Sequence, residues 1–373
     1  MQRRIPLLAA GLLLSGCRSH APLRLGIVLD QDGERGAALA AADVNAAGGI
    51  RHRLLELRAL RGSAVSTAAR MALAGANSLV SDPSILAVVG HTNSNASLAA
   101  AQVYNEHHTV QIAPTTTTPL YSDAGKYSFR LVASDVHQAA FLANVLLSKP
   151  GQRIAVLYVN DDYGRALDAS VADHLAANGV TAAYESPFGE GGAFTDADDL
   201  ARAVARSHPT VLLWLGRSRE LAVLMPILHS LVPKLDVLAS DGFAGVASES
   251  GRVGALVGVK YVRLLDLENP TDGIRALRQR YEREWHELPT DQGILAYEAV
   301  QVLARAIAEA GADREAIRTY LSQLGTTRPP IQALAGPVTF DAKGDPPPRY
   351  YLAEVTATGP RPVPVPSTGG INR

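Results

Sequence analysis

Residues 153–177 read RIAVLYVNDDYGRALDASVADHLAA, and this stretch decides the fold class. Its first part, 153–159, is an apolar run rich in β-branched residues, which predicts a strand buried on both faces. A polar loop follows at 160–164, and residues 165–177 have the alanine content and length of a helix. A strand, a loop and a helix in this order predict a crossover unit, in which consecutive strands of one sheet run parallel.

The same pattern recurs on both sides of residue 133. We predict strands at 23–29, 85–89, 109–113, 210–215 and 236–239, and helices at 34–47, 94–104 and 218–231. Residues 270–324 have almost wholly helical spacing, and 336–345 return to extended and turn character. The sequence therefore predicts an α/β fold that contains two parallel sheets.

Length and composition limit the classes of protein that remain. With 373 residues, the chain is too long for one ordinary core, so we expect two or three domains. Hydrophobic residues make up 47% and charged residues 19%, which is a globular composition. The net charge of -1 provides no basic face, so we predict no binding to nucleic acid.

The first seventeen residues have the order of an export signal. Two arginines precede an apolar run at 5–14, which is too short to span a membrane. Small residues come before Cys17, the only cysteine, and this ending resembles the bacterial lipobox, in which the peptide is cut before a lipidated cysteine. We expect a signal peptide at 1–16, then the lipidated cysteine and a tether at 17–22. The alternatives are a plain secretory signal and a short buried helix with a chance cysteine.

This signal predicts an exported protein, periplasmic or on the cell surface, that is anchored to a membrane by lipid on Cys17.

In open parallel sheets, ligands bind beyond the carboxyl ends of the strands, where helix N-termini suit anions. The predicted strands place six loops there, at 30–36, 91–97, 114–119, 160–164, 216–220 and 240–242.

At these loops the chain resembles the substrate-binding proteins of branched-chain amino acid ABC transporters. The resemblance covers about residues 23–355 and rests on the order and spacing of short motifs. These are ADVNAAGGI at 42–50, VVGH at 88–91, IAPTTTT at 112–118, YSFR at 127–130, DDYG at 161–164, SDG at 240–242 and GPVTFDAKGD at 336–345.

The resemblance implies the type I periplasmic binding protein fold, with two Rossmann-like lobes that hold parallel sheets and are joined by a three-crossing hinge. The crossings are expected near Val132–Asp135, Val262–Leu265 and Phe340–Pro348. Lobe 1 then comprises 23–133 plus 266–342, and lobe 2 comprises 134–265 plus 343–358. The Pro-rich stretch 359–373 has little to bury, and we predict that it is disordered.

The resemblance also implies a ligand site. Members that bind amino acids hold the carboxylate with serine and threonine in lobe 1, and Ser94, Thr115 and Thr117 stand at those positions. From lobe 2, Tyr163 matches a tyrosine that faces the ligand, and Asp241 matches an acid that pairs with its ammonium group. Hydroxyl groups opposite a carboxylate suit an amino acid zwitterion. Ordinary turn capping and surface turn roles are the alternatives.

Two positions depart from the family pattern. Arg217 stands where amino acid binders often have an aromatic residue, and a buried cation there would favour a second acidic group on the ligand. The alternative is that Arg217 points to solvent. Arg61 stands where the family usually has an acid. Both departures argue against leucine, isoleucine or valine, and leave amides, urea, acidic amino acids and small aromatic acids open.

The predicted function is capture of a small polar, amino acid-like ligand for an ABC importer, with permease subunits as partners. The alternative is a sensor or scaffold of the same fold that regulates a protein such as a cell-wall synthase. We predict no enzymatic activity, because the sequence has neither a Gly-x-Ser-x-Gly elbow nor a Walker loop. The adjacent His107 and His108 would diverge on a helix, so no metal or cofactor is predicted.

Overall fold

The structure is a computed structural model that describes residues 21–60, 69–189, 191, 194–244 and 253–365. The predicted signal peptide, Cys17 and Arg61 lie outside the described residues.

The first part of the chain alternates strands with helices, as predicted. Its elements are β1 (Leu23–Val28), α1 (Gln31–Ala46), β2 (Leu55–Ala59), α2 (Ala69–Val80), β3 (Ile85–Gly90), α3 (Ser94–Glu106), β4 (Val110–Ala113) and β5 (Ser128–Arg130). The five strands form one sheet in the order β2-β1-β3-β4-β5, and every neighbouring pair is parallel. Five of the six residues of β3 are buried, the exception being Leu86, as expected for a strand with helices on both faces.

The middle of the chain repeats this organisation. Its elements are α4 (Asp135–Leu147), β6 (Ile154–Val159), α5 (Asp162–Ala177), β7 (Tyr184–Phe188), α6 (Ala197–Arg206), β8 (Val211–Leu215), α7 (Ser218–Leu231), β9 (Asp236–Ala239) and β10 (Lys260–Arg263). The strands pair in parallel in the order β10-β9-β8-β6-β7. Helix α5 begins three residues before the predicted start, because the Asp161 carboxylate accepts a hydrogen bond from the Gly164 amide at 2.8 Å and caps it.

The last part is helical and then extended. Its elements are α8 (Asp272–Trp285), α9 (Asp291–Ala310), α10 (Arg314–Ser322), β11 (Ile331–Ala333), β12 (Gly336–Val338), β13 (Tyr351–Thr356) and β14 (Gly359–Val363). Strands β11 and β12 form a small antiparallel hairpin. Strand β13 joins β10 antiparallel, so the second sheet has seven strands among the described residues. The prediction of an α/β fold with two parallel sheets is confirmed, with an antiparallel edge added to the second.

The prediction of disorder from residue 359 onward is wrong for Gly359–Val363. These residues form β14, which pairs antiparallel with β13 along its whole length. Pro360 and Pro362 fit there because β14 is the edge of the sheet, where a missing N–H group does not interrupt a ladder. The Pro-rich composition thus indicated an edge strand, and residues 366–373 of the predicted tail lie outside the described residues.

The chain passes between the two sheets three times. It leaves the first sheet after β5, returns after β10 to the helices that cover β1, and passes again from β12 to β13. Helix α9 packs closely on α1, because both have glycine at the contact: a Cβ on Gly36 would lie 1.9 Å from the carbonyl oxygen of Gly293. These passages bring the carboxyl ends of strands in both sheets toward one region.

Candidate functional site

Two loops of the first sheet form one side of the candidate site. After β3, the Asn93 side chain caps α3 by accepting a hydrogen bond from the Ala96 amide at 3.0 Å. Ser94 is therefore the first residue of α3 and is buried. Its hydroxyl oxygen accepts a hydrogen bond from the Thr118 amide at 3.4 Å. This bond brings the predicted Ser94 next to Thr118, the residue after the predicted Thr117, at a helix N-terminus, where anions are favoured.

The second loop, Pro114–Thr118, follows β4 and is termed here the threonine loop. The Thr115 hydroxyl lies 3.3 Å from both the Thr92 carbonyl oxygen and the Gln292 side-chain oxygen. Thr117 is buried, and its carbonyl oxygen accepts a hydrogen bond from the Asp135 amide at 2.7 Å. That bond links the first sheet to the N-terminus of α4, the helix that leads into the second sheet.

A fully buried arginine, Arg130, holds the threonine loop in place. Its Nη1 donates to the carbonyl oxygens of Thr118 at 3.0 Å and Thr116 at 3.4 Å. Its Nε and Nη2 donate to the two carboxylate oxygens of Asp345, at 2.6 and 2.5 Å. This bidentate pair fixes the guanidinium plane and joins the loop to the third passage between the sheets.

Two of the three predicted residues of the second sheet form a hydrogen-bonded pair. Tyr163 lies at the start of α5, and its hydroxyl donates to the Asp241 carboxylate at 2.6 Å. The same hydroxyl accepts a hydrogen bond from the Gly242 amide at 3.1 Å and lies 2.8 Å from the Ser240 hydroxyl. A Cβ at position 242 would lie 2.9 Å from both the Tyr163 oxygen and an Arg217 nitrogen, so a larger residue there would displace one of these side chains.

Gln138 connects Asp241 to a second carboxyl group, that of Asp135. Its side-chain nitrogen donates to Asp135 at 2.8 Å and to Asp241 at 2.9 Å, and its oxygen accepts from the Asp241 amide at 2.9 Å. Asp135 is fully buried, and its Oδ2 has no hydrogen-bond partner within the described part of the chain. One amide thus holds two carboxyl groups side by side.

The electrostatics of this pair follow from its burial. Burial raises the pKa of Asp135 well above its usual range, and the neighbouring Asp241 raises it further. Burial also raises the pKa of Asp241, while hydrogen bonds from Tyr163 and Gln138 and the positive charge of Arg217 offset part of that rise. The pair therefore favours an added positive charge, which would stabilise its ionised form.

Arg217 lies beside this pair. Its guanidinium group stands over the Tyr163 ring, 5.1 Å from the centroid. One of its nitrogens is 3.7 Å from the Asp161 carboxylate, and 30% of its side chain is exposed. Arg217 is thus partly exposed and lies against Tyr163, so the three predicted residues of the second sheet are neighbours.

Several residues of this region were not among the predicted site residues. Asp135 ends a stretch that the sequence analysis marked as a hinge crossing, and Arg130 ends the YSFR motif. Neither stretch indicated which residues these two side chains would contact. Gln138 has no sequence signal, since it is one polar residue in the second turn of a helix. Gln292 becomes a neighbour of Thr115 only through a contact between residues 177 positions apart.

A separate cavity of about 200 Å³ lies between the three passages that join the sheets. None of the predicted site residues lines it. Its walls include the buried Glu298, whose carboxylate accepts a hydrogen bond from the Ala335 amide at 2.6 Å. Burial raises the pKa of Glu298 to about 7, and hydrogen bonds from backbone amides offset part of that effect.

The described residues contain no cluster of three or more His, Cys, Asp or Glu side chains that could hold a metal ion. Within the same residues, no helix is long and apolar enough to cross a membrane.

Comparison with known proteins gives one consistent family. Residues 27–360 match a family model described as periplasmic binding protein. An amino acid binding protein of Pseudomonas aeruginosa is 28% identical over 318 residues, which cover 83% of this chain and 81% of that protein. A Leu/Ile/Val-binding protein homolog of Brucella abortus is 25% identical and covers 84% and 82%.

The solved structures show the same fold. A branched-chain amino acid transporter substrate-binding protein from Streptococcus pneumoniae, in complex with isoleucine, superposes with a TM-score of 0.80 at 19% identity. The match covers 92% of this chain and 99% of that one. The relatives are named as binding proteins and not as enzymes, in agreement with the prediction that this chain is not an enzyme. With a family model that spans most of its length, the chain belongs to the periplasmic binding protein family.

Proposed function

We propose that this protein captures an α-amino acid or a closely related solute between two lobes and delivers it to an ABC importer. In this proposal the lobes are built on the two sheets with the bounds expected from the sequence, except that lobe 2 extends through β14 to Val363. One observation carries the proposal: the hydroxyl groups of Ser94 and the threonine loop adjoin the carboxyl pair of Asp135 and Asp241. The link between them is the 2.7 Å hydrogen bond from the Asp135 amide to the Thr117 carbonyl oxygen.

The first sheet supplies the anchor for a carboxylate. Ser94 and the threonine loop offer hydroxyl and amide donors, and the N-terminus of α3 adds a partial positive charge. This arrangement binds an anion without a cationic side chain, so the carboxylate of a zwitterion can dock here before the lobes close.

The second sheet supplies the anchor for an ammonium group. Tyr163 and Gln138 hold the Asp241 carboxylate in one orientation, and the bound cation would replace the solvent that the carboxylate loses on closure. Because an adjacent positive charge favours the ionised form of a carboxyl group, ligand binding would lower the raised pKa of Asp241.

Closure couples the two anchors. A ligand stabilises the closed form only to the extent that it binds that form more tightly, and here it can contact Asp241 only after the lobes approach. The permease would then recognise the closed shape. Family membership implies export, and we propose further that lipid on Cys17 keeps the mature protein at a membrane surface.

The experiment is a thermal-shift and calorimetric screen of the mature protein, solubilised in mild detergent and stripped of co-purified ligand, against amino acids, amides, urea and organic acids. A ligand at about a hundred times its Kd stabilises the folded state by about 2.7 kcal/mol. Asp241→Asn should weaken the binding by about 2–5 kcal/mol. The control is Asp173→Asn, which changes an exposed carboxylate on α5 and should bind normally.

A screen in which no compound shifts the melting temperature contradicts solute capture and favours the role of a regulator that binds a protein partner. The anchor is tested separately, by expressing Cys17→Ser and measuring labelled palmitate in the protein. Incorporation that persists in this variant would contradict lipidation at Cys17, whatever the outcome of the screen.

A further inference from the structure

We infer that the captured solute has a distal carboxamide-type group, which both donates and accepts hydrogen bonds, in addition to its α-amino and α-carboxylate groups. The inference rests on the proposed function and names the ligand class of the same cleft. It comes from three polar side chains that surround the anchors, namely Asp30, Gln292 and Arg217.

Asp30 provides a hydrogen-bond acceptor on the first lobe. It follows β1, and its amide donates to the Thr92 hydroxyl at 2.9 Å, which places it beside the loop of Ser94. One carboxylate oxygen caps α1 by accepting from the Gly33 amide at 2.9 Å. Asp30 lies at the carboxyl edge of the sheet, where part of the residue is exposed and part is covered, and the described residues contain no ion-pair partner for it.

Gln292 provides an unused donor next to it. Its side-chain oxygen lies 3.3 Å from the Thr115 hydroxyl, which can donate to it, and this contact places the amide against the threonine loop. Its Nε2 is buried, and no described atom meets it in full hydrogen-bond geometry, although it lies close enough to the Asp30 carboxylate to lower the pKa of that group in part. Partial burial raises the pKa of Asp30, and the nearby Gln292 amide offsets part of that rise, so the two side chains are neighbours. A buried donor without a partner is costly, and a ligand carbonyl oxygen would satisfy it.

Arg217 provides donors on the opposite lobe. Its position over the Tyr163 ring holds it beside Asp241, and one of its nitrogens lies 3.7 Å from the Asp161 carboxylate. After closure, the distal end of the ligand would therefore meet a carboxylate on one side and guanidinium N–H groups on the other.

Asp30, Gln292 and Arg217 together disfavour a solute whose distal group is aliphatic, acidic or basic. An aliphatic ligand would remove the Asp30 carboxylate from water without replacing its hydrogen bonds, and it would leave the buried Gln292 donor without a partner. A distal carboxylate would face Asp30, and a distal cation would face Arg217, so each would meet one like charge. A carboxamide can donate an N–H to Asp30 and accept at its oxygen, which has two lone pairs, from both Gln292 and Arg217, so it can satisfy all three residues.

The test is calorimetric titration of the stripped mature protein with glutamine, asparagine, leucine, glutamate and lysine. We expect glutamine or asparagine to bind at least tenfold more tightly than the other three. Tighter binding of leucine, glutamate or lysine overturns the inference and leaves the proposed function intact. Binding of none of the five, nor of any other compound in the broader screen, overturns both.

Two variants separate distal recognition from the common anchor. Asp30→Asn keeps a side chain able to cap α1, and combined with Gln292→Leu it should weaken amide binding at least tenfold and strengthen leucine binding. Ser94→Ala removes a contact shared by all α-amino acids and should weaken all of them by a similar factor. A double variant that keeps the wild-type ranking of ligands overturns the inference.

Discussion

Replacing Arg130 with lysine is expected to weaken solute binding although the Arg130 side chain is fully buried. The guanidinium group makes five hydrogen bonds, to both oxygens of Asp345, to the Ser122 hydroxyl and to two carbonyl oxygens of the threonine loop. A lysine ammonium group is a single point with three donors and cannot reproduce the planar fork. The threonine loop therefore loses a support.

The magnitude follows from the bonds that lysine cannot form. At least two of the five are lost, and a hydrogen bond to or from a charged group contributes about 1.5 kcal/mol or more, so the free energy of unfolding should fall by about 3 kcal/mol. The loosened threonine loop must then be ordered by the ligand, for which we expect a loss of affinity of about tenfold, or about 1.4 kcal/mol.

The assay combines urea denaturation with calorimetric titration at a temperature where the variant is folded. The matched control is Arg314→Lys, because Arg314 is partly buried and likewise donates to backbone carbonyl oxygens, those of Asp82, Ile85 and His107, away from the site. The control should lose stability and keep its affinity. If Arg130→Lys also keeps its affinity while losing stability, Arg130 supports the fold alone and the reasoning is refuted.

Two further predictions concern stability. Burial raises the pKa of Glu298 from 4.5 to about 7, so the folded state holds that proton more tightly, and stability should fall by up to about 3 kcal/mol as pH rises through this range. Glu298→Gln should remove this fall, measured by urea denaturation at pH 5 and pH 8. Gly36→Ala should destabilise the protein by about 1–3 kcal/mol in thermal unfolding, because its Cβ would lie 1.9 Å from the Gly293 carbonyl oxygen.

Each of these has a result that contradicts it. A Glu298→Gln variant as sensitive to pH as the wild type would show that another group titrates. For the glycine, the comparison is Gly254→Ala, whose Cβ would meet nothing within 4 Å. Equal effects of the two alanines would mean that the contact between α1 and α9 does not limit stability.

Local patterns were sufficient for much of the fold. Helix α7 and strand β9 have the predicted bounds, Ser218–Leu231 and Asp236–Ala239, because a buried parallel strand and its crossover helix leave an apolar run and a 3.6-residue period in the sequence. The order of short motifs also identified the family. The prediction of disorder at β14 used composition alone and was wrong. Whether such a segment forms an edge strand depends on its pairing with a neighbour, here β13, and not on local propensity.

The sequence by itself determined the alternation of strands and helices, the family, and the six loops that reach the carboxyl edges of the sheets, since each of these depends on residues close together in the chain. Only the tertiary structure decided how polar groups pair at the site. Arg130 meets Asp345 across 215 positions, and Gln138 meets Asp241 across 103. Such contacts leave no period or spacing in the sequence, because hydrogen bonds between distant segments depend on how whole sheets and helices are placed.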